Sequence, residues 1–337
     1  MATTDDRVLY LGTQGGAFRA EPNGGDGYAA RPLGLQPEGG VRARVLVDHN
    51  DPRLIFVGTN KGGMFRSPDG GKRWEEINKG ITYKEIWSLV QHPDTGEILV
   101  GTGPVSVFKS ANRGDSWEDC EGIRTLKDSE EWTFPNPPHV AHVKGMDVRG
   151  NRIFCALEEG WLVRSLDAGK TWETIREGTH FDSHSVISMP DDAAKVISTS
   201  GHGVYRSEDG GATFAGSNEG LDCQYLAQIV VHPAKPKTLF TAAAEVPPPF
   251  WARRPEGANA GFFRSEDQGY SWRRVSGGLP SQIKPAPRAT AGDPDDPDAY
   301  FVGMTDGSVW MSEDGGATFR QILSGMPPVQ SITVARR

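Results

Sequence analysis

Five of the eight histidines, His139, His142, His180, His184 and His202, fall in one stretch of the chain. Neutral imidazole is a common ligand for Zn, Fe, Ni or Cu, and nearby carboxylates complete or orient such a set. Asp182 stands two residues before His184, and Lys144 two residues after His142. On a strand, residues two apart share a face, so each pair presents its groups together. The spacing HxxH in a loop has none of the specificity of HExxH on a helix. The stretch therefore reads as a divalent-metal site or as acid–base and substrate-binding groups without a metal. Whether the imidazoles meet depends on the elements that carry them.

Those elements are marked by a repeat. Ser-x-Asp-x-Gly-x-x-Trp/Phe occurs at Ser67, Ser165, Ser207, Ser265 and Ser312, and once more at Ser110 with Asn112 in the Asp position. Each copy follows a β-rich run that passes through Gly, and a short strand comes after it. The Asp side chain suits capping of its own turn, and Gly supplies the positive φ that the turn requires. A degenerate copy, FRAEPNGGDGY, places Ala20 and Pro22 at the Ser and Asp positions. Seven units spaced by 42 to 58 residues follow, counting from the chain end round to its start.

The string resembles the Asp-box (BNR) repeat, and the resemblance runs over nearly the whole chain. It implies an all-β fold: one seven-bladed propeller over residues 1–337, built of four-stranded antiparallel blades. The terminal strand, about Gln330 to Ala335, pairs with the segment from Arg7 to Leu35. One blade then takes strands from both ends of the chain, which removes an open sheet edge. The Asp-boxes lie between strands three and four of each blade, at the lower rim, and their role is architectural.

The same scheme sorts the remaining side chains. Loops from strand four to the next strand one, and from strand two to three, share the opposite, upper face. Two long insertions map there, about 122–141 and 246–260, with Trp132, Phe134, Phe250 and Trp251 fit to form a wall or lid. The five clustered histidines fall on this face, in two adjacent blades. Glu85, Trp87, Tyr225, Arg288 and Gln330 point toward the channel mouth, and Glu245 ends a strand where the second insertion begins. His49, His92 and His232 fall in lower-face turns and read as structural.

These positions suggest an enzyme that acts on a small polar molecule at the upper channel mouth, by metal-assisted hydrolysis or lyase chemistry. His142, His184, His202, His139 and His180 are the candidate ligands of a divalent ion. Glu245, Lys144, Arg288 and Asp182 are the candidate catalytic groups, with Glu245 or a His moving the proton. Trp87, Tyr225, Glu85, Gln330 and Trp251 are the candidate substrate contacts. The alternative is a non-catalytic scaffold or assembly factor that binds a protein or peptide on this face. A sialidase-like glycoside hydrolase is a further alternative, but the Arg-Ile-Pro motif of sialidases is missing, although Arg42, Arg44 and Arg288 could be imagined as an arginine triad.

Composition limits the rest. Nine Trp and fourteen Phe supply a core, and 42 Gly disfavour a helical bundle. A net charge of −8 gives no electrostatic footprint for nucleic acid. Nothing points to a nucleotide cofactor. No apolar run is long enough to span a membrane. Three scattered cysteines and a start without signal-peptide features suggest a cytoplasmic protein. The upper-face insertions are also the expected surface for a homo-oligomer or protein partner.

Overall fold

A computed structural model describes residues 6–35, 37, 40–41 and 45–337. Arg42 and Arg44 lie outside the described residues. Seven antiparallel sheets follow one another round a ring. Blade I joins the strand Val329–Arg336 to Arg7–Thr13, Gly16–Pro22 and Tyr28–Pro32. Blades II to VII begin with the inner strands Val45–Val47, Glu85–Gln91, His142–Arg149, Ser183–Ser188, Tyr225–His232 and Pro287–Asp293. In blade VI the inner strand is broken into Tyr225–Leu226 and Val230–His232, and both pieces pair with Lys235–Ala244. Among the described residues no helix is long and apolar enough to cross a membrane.

The expected closure is present. Leu9 pairs with Val334, and Leu11 with Ile332. Arg7, 2% exposed, carries the join into blade VII. Its guanidinium donates to Asp293 at 2.6 Å, Asp296 at 3.0 Å and Glu313 at 3.0 Å. Burial works against the Arg7 charge, and the Asp293 carboxylate more than offsets it.

Much of the packing between blades is apolar. Phe240 of blade VI is fully buried, with ring centroids 5.2 Å from Tyr300 and 5.1 Å from Phe319 of blade VII. Burying one such side chain stabilises the fold by roughly 1.5–3 kcal/mol.

The six repeated turns share one hydrogen-bond pattern at the lower rim. At Ser207 the hydroxyl accepts the Gly211 N–H at 2.8 Å and donates to Asp209 at 2.7 Å. The same Asp209 oxygen accepts the N–H groups of Ala212 and Thr213. Gly211 takes a φ of +83°, and an added Cβ there would strike Phe154 of blade IV. The aromatic that ends the string ties neighbours together. Trp74 donates to Leu33 O in blade I, Trp117 to Ile77 O in blade II, and Trp272 to Ser217 O in blade V.

Two of the lower-face histidines are turn caps. His92 Nδ1 accepts the N–H groups of Asp94 and Thr95, while Nε2 meets Gly150 O of the next blade. His232 repeats this with Ala234 N–H and Pro294 O.

Candidate upper-mouth site

The inner strands run from the upper face to the lower, so their first residues ring the upper mouth. In blade IV, His142 stands directly opposite Glu158 across the first strand pair. A β-bulge between Val143 and Gly145 lets His142 and Lys144 both reach that carboxylate. His142 Nε2 and Lys144 Nζ lie 3.0 Å and 2.9 Å from the same oxygen, Glu158 Oε2. Burial alone would push the Glu158 carboxyl up, but Lys144 and His142 hold it well below the usual carboxylate range. Lys144 is in turn raised: burial opposes its charge, and Glu158, Tyr225 and Asp182 favour it more strongly.

Blade V supplies the facing pair. His184 Nε2 lies 3.1 Å from Asp182 Oδ1, and His184 Nδ1 lies 2.8 Å from Leu226 O of blade VI. Both ring nitrogens therefore face oxygen acceptors. A neutral imidazole has one N–H, so it satisfies one of these contacts and leaves the other to a proton or a cation. The Nδ1 contact with a backbone carbonyl is the usual orientation for a ligating histidine. Burial raises the Asp182 carboxyl, and His184 and Lys144 outweigh it, leaving it lowered. Gly201 permits this packing, because a Cβ there would overlap Asp182 Oδ2.

Among the described residues, Glu158, Asp182 and His184 are the one group of three or more ligand-type side chains with donor atoms all within 4.8 Å. The group holds one imidazole, where the sequence suggested several. His180 and His202 instead stack on each other with centroids 4.2 Å apart, and His180 Nδ1 accepts the Asp182 N–H. His180 titrates lower than usual through burial, then through His202. His139 is exposed, at φ +63°, with its ring 2.8 Å from Phe134 O. Glu245 is differently engaged: Asn259 and both contacts from Arg254 hold its carboxylate ionised.

Aromatic side chains wall the charged floor. Trp87 stacks on His142 at 3.2 Å, and Phe134 from the first insertion meets both edge-on. On the other side Tyr225 contacts His184 at 4.6 Å and Trp251 at 6.0 Å. Arg288 lies over the Trp251 ring at 4.7 Å. Both insertions thus reach the mouth, through short 3₁₀ turns at Glu121–Thr125, Lys127–Glu131 and Pro248–Arg253. Glu85 and Gln330 sit half-buried at the upper ends of their inner strands.

Glu158 is absent from the sequence reading. Its signal was available: it ends a second strand on the upper face, opposite a histidine already singled out. The turn that follows is strained, with Glu159 and Trp161 at φ +58° and +64°. Gly160 and Trp161 N–H both donate to Phe181 O, which binds this turn to the segment bearing Asp182. Such backbone strain persists where the surroundings over-determine it.

No family model and no curated protein matches the chain. Solved structures do. A GH74 xyloglucanase from Xanthomonas campestris aligns over 93% of this chain and 52% of its own, at 16% identity and a TM-score of 0.69. The GH74 enzyme from Niastella koreensis aligns over 84% and 45%, at 15% identity and 0.64. The chain thus spans about half the length of these two. A structure of YCF48 bound to D1 peptide aligns over 83% and 79%, at 15% identity and 0.52. The likeness is one of fold. It agrees with the seven-bladed ring and leaves the chemistry to the side chains.

Proposed function

We propose that the upper mouth is the centre of an enzyme that hydrolyses, or eliminates a group from, a small polar molecule. In this reading Glu158, Asp182 and His184 hold a divalent cation. The observation that carries it is His184, whose two ring nitrogens both face oxygens while a second carboxylate lies within 4.8 Å. A bound cation would supply Lewis acidity. Lys144 brings an ammonium that counters negative charge developing on the substrate, and Tyr225, Trp251 and Trp87 supply apolar walls that exclude water. The depressed carboxyls suit ligation better than proton donation, which needs an acid poised near the working pH.

Elemental analysis of the purified protein tests this, followed by titration of zinc and manganese into chelator-treated protein. Glu158→Gln, Asp182→Asn and His184→Ala should each lose most of the bound metal and still melt as folded rings. Full metal content in all three variants, or no uptake by the wild type, sinks the reading.

Two other readings have their own support. Phe250 is 48% exposed beside Trp251, and the YCF48 match spans most of both chains, so a peptide-binding mouth follows if Phe250→Asp abolishes capture of a partner. A glycoside hydrolase is favoured by the nearness of Glu158 and Asp182 and by the GH74 fold. It would require a proton donor beyond that pair.

A further inference from the structure

Below the charged floor the channel widens into a cavity of about 800 Å³ on the lower face. That is within the range of small-molecule sites. Its wall combines apolar side chains, Met146, Ile187, Val230 and Ile332 among them, with nearly as much polar surface. Among the polar side chains that line it are Asp147 from blade IV, Gln228 from blade VI and Thr333 from blade I. Asp147 stands three residues below Lys144, roughly 10 Å along the strand.

Asp147 is not committed to the fold as the other buried acids are. Its Oδ2 accepts the Ser188 N–H at 3.0 Å, and among the described residues it forms no ion pair. Arg149 and Arg152 act on it only at longer range, and burial wins, raising the carboxyl above its usual range. Thr333 Oγ1 is buried and has no hydrogen-bond partner among the described residues. Asp48, Asp295 and Asp296 add negative charge at the rim, against Arg149, Arg336 and Arg337. Arg336 is already engaged by Asp293, and that pair belongs to the ring closure.

A cavity of mixed polarity, with the Asp147 carboxylate outside any ion pair beside an amide and the Thr333 hydroxyl, matches an ammonium on a compact hydrocarbon body. We propose that the lower channel is a binding site for a small organic amine, with Asp147 as counter-ion and Thr333 and Gln228 as hydrogen-bonding partners. This site is separate from the upper mouth and does not depend on the chemistry proposed there.

Cyclohexylammonium and the neutral cyclohexanol are suitable probes, with binding followed by calorimetry and saturation-transfer NMR on the full-length protein. The ammonium should bind the wild type, and cyclohexanol should bind at least about tenfold more weakly, as loss of a charge-assisted hydrogen bond implies. Asp147→Asn should lose the ammonium by a similar factor while melting at or above the wild-type temperature. Asp182→Asn, at the upper mouth, should bind it unchanged. Val230→Phe, which fills the cavity, should also lose it and provides the test should Asp147→Asn not fold. Equal binding of the two probes, binding to Asp147→Asn within about twofold of wild type, or no binding of the ammonium at all overturns the proposal.

Discussion

Acids at the lower rim and acids at the upper mouth are held ionised by opposite means. In the repeated turns Asp209 is exposed and Asp69 and Asp167 are half-buried, and their own turns stabilise the charge. Arg73, by side chain and then by backbone N–H, brings Asp69 down to about 2, and the Thr171 N–H and hydroxyl bring Asp167 to about 2. At the mouth, burial alone would raise Glu158 and Asp182, and Lys144 with the neighbouring histidines reverses it. A lowered carboxyl therefore does not distinguish a functional acid from a structural one. The distinction is what the charge would lose if a single partner left. A turn acid shares its charge among several local N–H groups, whereas Glu158 depends on two side chains.

The largest effect should come from removing one of those two. Lys144→Met leaves a buried carboxylate short of its main counter-charge, at a cost of about 3–5 kcal/mol. Denaturant unfolding measures this, and a loss below about 1 kcal/mol would show that the mouth does not need Lys144 for its charge balance. Glu158 should then titrate visibly higher in the variant, by carbon-detected NMR of the side-chain carboxyl.

Ser207→Ala at the rim should cost less. It removes the buried acceptor of the Gly211 N–H, worth about 1–2 kcal/mol when such a group is left unpaired. Metal content at the mouth should not change. A variant that kept its stability and lost its metal would erase the boundary between the two regions.

Acid titration gives the smallest and broadest effect. Turn acids with depressed folded values stabilise the fold above the unfolded value near 3.9. Their contribution fades as pH falls through about 2. Asp147 has the opposite sign: its raised folded value favours the fold below 3.9, and that advantage is lost as pH rises through the folded value. Asp147→Asn should accordingly flatten the stability profile on the neutral side while leaving the steep acid limb in place.

The ring could be read from the chain because its signal is repeated and local. Ser, Asp and Gly at fixed offsets make a turn wherever they occur, and their spacing counts the blades. The mouth was legible only where two residues stand two apart at the head of one inner strand, as with His142 and Lys144 or Asp182 and His184. Glu158 joins them through strand pairing, and no spacing along the chain announces that. His202 and Glu245 show how local partners enter. Both lie at the upper face, but a nearer partner claims each: His180 by stacking, and Arg254 with Asn259 by charge and hydrogen bonding. Placement on a face follows from topology, while convergence on a point depends on side-chain competition that sequence does not order.

The closing of blade I also bears on how the chain is made. Val329–Arg336 leaves the ribosome after every other described strand, yet it is the inner strand on which Arg7–Thr13 pairs. Arg7 and Asp293 are 286 residues apart, so the most buried ion pair of the join waits until most of the chain exists. Until then blade I lacks its inner strand, and Arg7–Thr13 presents an unpaired sheet edge. Loop-closure entropy rises only slowly with such a separation, so the exposure time is set by translation more than by the search itself. Stalled or shortened nascent chains should for that reason be the forms that engage chaperones or add strands from one another.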